Sequence, residues 1–200
     1  MMSPDSLKNW GFLTVMEHQR LGLIGGYLVL NSLGRPIEFH CTSPVRANRA
    51  QEILYGVTLD AFLYGEQIAQ VLIERAKTKP FSVITERPPV LAVQEFVAMP
   101  ICYIHHEPPS SEKILRISRA ENNDSSPESG ILAEIASVSF FSSFRWSEQS
   151  VGRYKLAIPE LVARPTSETV AELKNVSSAI DFLEPFERIR LAIEEAQKAA

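Results

Sequence analysis

The sequence predicts an α+β or α/β fold: one mixed β-sheet begun by an N-terminal antiparallel hairpin meander, with helices packed on it and a helical C-terminus. Three observations carry that expectation. The stretch 25–43, Gly-Gly-Tyr-Leu-Val-Leu-Asn-Ser-Leu-Gly-Arg-Pro-Ile-Glu-Phe-His-Cys-Thr-Ser, reads as a β-hairpin. Strand-like runs at 81–85 and 101–105 follow helical stretches, so they enter the sheet by crossover, as parallel neighbours do. The stretch 182–200 carries an apolar stripe at helical spacing.

Each element follows from its residues. Gly11–Met16 is rich in β-branched and aromatic side chains and reads as a strand, which Leu21–Ile24 continues or follows with a second short one. The apolar run Tyr27–Leu30, a turn at Asn31–Gly34 and a return strand Pro36–Ser43 make the hairpin. Gly34 supplies the positive φ that a short hairpin loop requires. Period-2 alternation sends Ile37, Phe39 and Cys41 to one face, expected to meet the core, and Glu38, His40 and Thr42 to the other, expected to meet solvent or a site.

Pro44 ends that strand. Residues 46–76 read as helix, broken at Gly56 into Ala47–Tyr55 and Leu59–Ala76, with Thr58 as N-cap. Phe62, Gly65, Ile68, Ala69, Leu72 and Ile73 form the second helix's apolar stripe. Gly65 costs roughly 1 kcal/mol there relative to Ala, so close packing is expected at that point.

Phe81–Thr85 is a strand, Arg87–Pro89 a turn, 90–97 a short helix and Ile101–His105 a further strand. Lys113–Ser118 is extended, 120–130 is a polar loop and 131–144 fits helix or strand. Arg153–Ile158 is a strand and Thr166–Lys174 a helix opening with hydroxyl caps and acids. The domain organisation expected is a mixed core over 1–165 and a helical segment over 166–200, docked on the core or used as an arm.

Composition bounds the function classes. The chain has 200 residues, 45% hydrophobic and 22% charged, enough to build a core without metal or disulfide staples. A net charge of -4 argues against a whole-surface nucleic-acid binder, which carries a basic excess; nucleic acid is not the expected partner. The N-terminal residues lack the charged and apolar regions of a signal peptide. No apolar run approaches the roughly 20 residues of a membrane span. Cys41 and Cys102 are the only cysteines, which points to reduced thiols in a cytoplasmic protein.

Five constellations are candidates for chemistry. Cys102, His105 and His106, with His40 and Cys41, are of metal-ligand type, but alternation separates His40 from Cys41 and Cys102 from His105, so no metal site is favoured. Glu38 and His40 share a strand face at a spacing of about 6–7 Å, suited to a general base, though no nucleophile motif accompanies them. Arg46, Asn48 and Arg49 follow Pro44 at a helix start, where backbone N–H groups attract an anion. The fourth rests on element order: strand, strand, strand, helix, strand resembles the opening of ribonuclease H-like folds, which implies acids from the first strand, first helix and fourth strand binding divalent metal. Glu17, Glu52 and Glu86 hold those places. The fifth is the stripe Phe182, Phe186, Ile189 and Ile193, a self-association or partner surface wherever it is not docked on its own domain.

The expectation that follows is a non-enzymatic cytoplasmic binding or assembly domain, for an anionic ligand at 44–49, with no cofactor. The alternative is a metal-dependent phosphoester or nucleic-acid hydrolase.

Overall fold

Trp10–His18 and Gly22–Leu30 are long, mostly apolar runs joined by three residues, and they pair along their whole length, Trp10 opposite Leu30 and His18 opposite Gly22. The computed structural model, which describes residues 8–105, 135, 145–162 and 164–198, thus has β1 (Trp10–His18) and β2 (Gly22–Leu30) as its first hairpin. The expected hairpin at 25–43 is the second one in the meander, with β3 (Pro36–Cys41) antiparallel to β2 and Gly34 at φ 75° in the connecting turn.

β4 (Ser82–Thr85) follows parallel to β1, and β5 (Ile101–His105) parallel to β4. β7 (Tyr154–Pro159) runs antiparallel to β5, and β6 (Trp146–Val151) closes the far edge. The result is one seven-stranded mixed sheet in the order β3-β2-β1-β4-β5-β7-β6, an α+β fold.

Alternation along the central strands feeds two apolar layers. Leu13, Val15, Tyr27, Val29 and Val83 face one way, under a helical pair: a π-helix over Ala61–Gln70 and a 3-10 helix over Pro88–Glu95. Phe12, Ile24, Leu28, Ile84 and Cys102 face the other, under the C-terminal helices α3 (Thr166–Val176) and α4 (Glu184–Lys198), numbered after α1 (Arg49–Tyr55) and α2 (Val71–Arg75). Adjacent glycines in β2 let both layers approach. A Cβ on Gly25 would stand 2.1 Å from Ile68 Cγ2 on one face, and one on Gly26 2.3 Å from Ile189 Cγ2 on the other. Gly65 packs as its cost demands: a Cβ there would lie 2.6 Å from that of Ala92.

Two local expectations are corrected. Thr58 is no N-cap; its hydroxyl donates to the Tyr55 carbonyl at 2.8 Å, while Asn48 caps α1. More consequentially, the faces of β3 are inverted. Ile37 and Phe39 are 47% and 37% exposed and Cys41 is exposed, whereas Glu38 and His40 lie partly covered. β3 is the edge strand, and the chain leaving α2 returns over its polar face: the Lys77 and Thr78 N–H groups donate to Glu38 at 3.0 and 2.9 Å. Lys113–Ser118, the polar loop 120–130 and most of 131–144 lie outside the described residues.

Candidate functional site

From β1 the chain moves outward through β2 to β3; from β4 it moves the opposite way to β5. The boundary between β1 and β4 is therefore a topological switch point, and in open sheets with parallel strands ligands bind in the crevice beyond the carboxyl ends at such a point. The register fixes what lies there. Leu13 pairs with Thr85, β4 then stops, and β1 runs on to His18. The next residues in line are Thr14 and Glu86.

Parity decides which face each side chain takes. Thr14 follows the parity of Phe12, and Glu86 that of Ile84, so both point toward the C-terminal helices. The Thr14 hydroxyl, fully buried, donates to Glu86 Oε1 at 2.8 Å. Arg190 of α4 donates to the same oxygen and, through its other terminal nitrogen, to Glu187 Oε1 at 2.8 Å. Glu86's side chain is 11% exposed. A carboxylate so covered needs partners of this kind, because an uncompensated buried charge is costly.

Glu17 has the parity of Leu13 and Val15 and faces the π-helix. It accepts the Tyr64 hydroxyl at 2.7 Å. Burial, then the bond to Glu17, pushes the Tyr64 phenol above its ordinary range, so it stays a donor. Arg87 and Asp60 also act on Tyr64 through their charges. The Arg87 Nε is buried without a hydrogen-bond partner among the described residues. The strand ends at the switch point thus carry two acids and two guanidiniums, one of each on either face.

Of the three acids expected to meet, the structure does not assemble a set. Glu17 and Glu86 are on opposite faces of the sheet, and Glu52 is on α1, which buries no residue, paired with Arg49 at 2.8 Å. Among the described residues, no group of three His, Cys, Asp or Glu side chains is placed to hold a metal. Mg²⁺ wants near-octahedral oxygen ligands, and Glu86 already spends its Oε1 on a hydroxyl and a guanidinium. The donor set does not fit a divalent-ion cage.

The remaining candidates resolve into structural roles. Glu38 Oε1 lies 2.6 Å from His40 Nε2, and the carboxylate also takes two backbone N–H groups, so it staples the loop after α2 and is not free as a base. Asn48 spends its side chain on Gln51 N–H at 2.9 Å, and Gln51 returns the bond to Asn48 N–H at 2.9 Å. Arg49 is held by Glu52 on an α1 of only seven residues, and the Arg46 stem lies along Gly22. Cys102 is buried 3.3 Å from Ser82 Oγ, and burial pushes its thiol up to about 12. It and His105, which ends β5, point to opposite faces, and His106 lies outside the described residues. Phe182, Phe186, Ile189 and Ile193 are buried on the chain's own sheet, with Phe12 and Phe186 edge-on at 5.8 Å, so of the two uses left open, docking on its own core or a partner surface, the stripe takes the first.

Thr14, Tyr64, Arg87 and Arg190 were not singled out by sequence reasoning. Thr14 carried a signal: it is the one hydroxyl inside the apolar run Gly11–Met16. Arg190 carried none, since it reads as an exposed helix residue.

No family model matches the chain, and no curated protein matches it. Solved structures similar to it include endonuclease V from Ciona intestinalis in complex with an inosine-containing DNA, at 9% identity and a TM-score of 0.45, covering 97% of this chain and 89% of that one. Human ENDOV is another, at 12% identity and a TM-score of 0.43, covering 99% and 89%. Likeness at that level gives no residue correspondence. The expected non-enzymatic assembly domain, with nucleic acid set aside as a partner, is nonetheless corrected. It rested on the absence of any convergent polar group, whereas Thr14, Glu86 and Arg190 converge at the switch point.

Proposed function

We propose that the chain is a nucleic-acid phosphoester hydrolase with ribonuclease H-like element order, acting in the crevice where β1 and β4 part. The observation that carries this reading is the gathering of Thr14, Glu86 and Arg190 on one side of that crevice and Glu17, Tyr64 and Arg87 on the other. Guanidiniums are suited to phosphate because their planar N–H fork matches its oxygens, and Arg87 stands half-buried at these strand ends. Glu86, through the Oε2 that Thr14 and Arg190 do not engage, and Glu17 supply the negative groups able to orient a nucleophile or take its proton. Ribonuclease H-like folds use divalent ions for this chemistry; since the acids here do not fit a cage, no step is assigned to one.

End-labelled single- and double-stranded DNA and RNA, incubated with Mg²⁺, with Mn²⁺ and with chelator, test the reading. The expected result is strand scission of at least one substrate, reduced about 10²-fold or more in Glu86→Gln, a loss of the size seen when one acid–base group is removed. Circular dichroism checks that the variant is folded. Scission of none of the four substrates, or equal scission by the variant, overturns the reading.

A further inference from the structure

We infer that the Arg190 guanidinium takes the place of a divalent cation beside Glu86, so that the C-terminal helix carries into the crevice the positive charge that a bound ion would otherwise bring. This concerns the site proposed above and rests on its location, but not on the reaction assigned to it.

Glu86 is the best-covered carboxylate at the strand ends, and its Oε1 receives the Thr14 hydroxyl and the Arg190 guanidinium together. Those are the directions from which a cation would be held. The second acid of the crevice, Glu17, is on the other face of the sheet and already accepts the Tyr64 hydroxyl, so it cannot complete an ion's ligand set with Glu86. An ion entering at Glu86 would have to displace a like charge, and a strongly hydrated Mg²⁺ gives up its water reluctantly.

Arg190 is not a side chain that happens to swing in. Its neighbour Ile189 is fully buried, as is Phe186 one turn before, and Ile189 meets Gly26 of β2 across the sheet face. That packing fixes the rotation of α4 and therefore the side on which residue 190 projects. Glu187 holds the second terminal nitrogen and narrows the rotamers further. Because a guanidinium does not lose its proton in a protein, the positive charge beside Glu86 does not depend on ion supply.

Thermal unfolding of the full chain, with no polynucleotide present, tests this in buffer alone, with excess Mg²⁺ and with excess Mn²⁺. The native protein is expected to show no ion-dependent rise in Tm. Arg190→Met, which keeps the apolar stem, is expected to melt lower in buffer and to regain part of the loss with Mn²⁺, because a ligand that binds only the folded state raises its stability. Glu86→Gln combined with Arg190→Met is expected to lose that ion response. An equal Mn²⁺ shift in native and Arg190→Met, or none in Arg190→Met, overturns the inference. Should Arg190→Met not fold, Mn²⁺ uptake by native protein and by Glu86→Gln, followed by electron paramagnetic resonance, decides instead. Equal uptake supports the inference, and lower uptake by Glu86→Gln overturns it. Neither readout depends on hydrolysis, so the two readings fail separately.

Discussion

Glu38 shows how one side chain can be placed for chemistry and used for structure. The bond to His40, then the backbone N–H groups of Lys77 and Thr78, hold its carboxyl at about 2 rather than 4.5. A group depressed in this way binds its proton more readily in the unfolded chain, so its contribution is complete above the unfolded value of 4.5 and is lost as pH falls from there toward 2. Urea midpoints measured across that interval are expected to fall more steeply for the native protein than for Glu38→Gln; parallel curves would show that the staple carries no charge-dependent stability. The two thiols make a second residue-level contrast. Cys41 is exposed on the edge strand, while Cys102 is buried with its thiol pushed up to about 12. Since the thiolate is the reactive species, Ellman's reagent is expected to titrate one thiol in the native protein and the second only in denaturant. Two fast thiols would mean that the layer over β5 opens readily.

Packing between elements is where the sequence was most and least legible. The stripe Phe182, Phe186, Ile189 and Ile193 was readable because helical spacing is local, and its burial on β1 and β2 is what an apolar stripe of that width requires. Its partner surface is made possible by Gly26, where a methyl group would stand 2.3 Å from Ile189 Cγ2. Gly26→Ala is therefore expected to cost about 1–3 kcal/mol through overpacking, and Phe186→Ala about 3–5 kcal/mol through the cavity left against Phe12. Equilibrium urea unfolding measures both, and a neutral Gly26→Ala would mean that α4 can slide on the sheet. The alternation in β3 was legible too, but not its sign. Which face of an edge strand is covered depends on what returns over it, and here residues 77 and 78 come back to Glu38 from about forty positions away. Parity also contained the separation of Glu17 from Glu86, yet only once the β1–β4 register was known.

At the scale of the molecule, the crevice was illegible because it is made by strand order. Thr14 and Glu86 are 72 residues apart, and Arg190 reaches Glu86 across 104; no local pattern marks such a meeting. The proposed hydrolase reading has to reconcile an acidic chain with a polyanionic substrate. At a formal net charge of -4 the surface as a whole repels a polynucleotide, and on the proposed reading the attraction comes from the two guanidiniums at the switch point, Arg87 and Arg190. Binding then has a shallow salt dependence, because each neutralised phosphate contributes about -0.9 to the slope of log K against log salt for duplex DNA. Two contacts give about -1.8, and the slope should fall by roughly 1 when one is removed. Fluorescence anisotropy of a labelled duplex across a monovalent salt series measures it, with Arg87→Met as the variant. A slope steeper than about -4, which would need more than four phosphate contacts, would place the polynucleotide on some other surface. A slope unchanged in Arg87→Met would remove that guanidinium from the phosphate's path and leave Arg190, already engaged by two carboxylates, as too weak an anchor to hold the substrate alone.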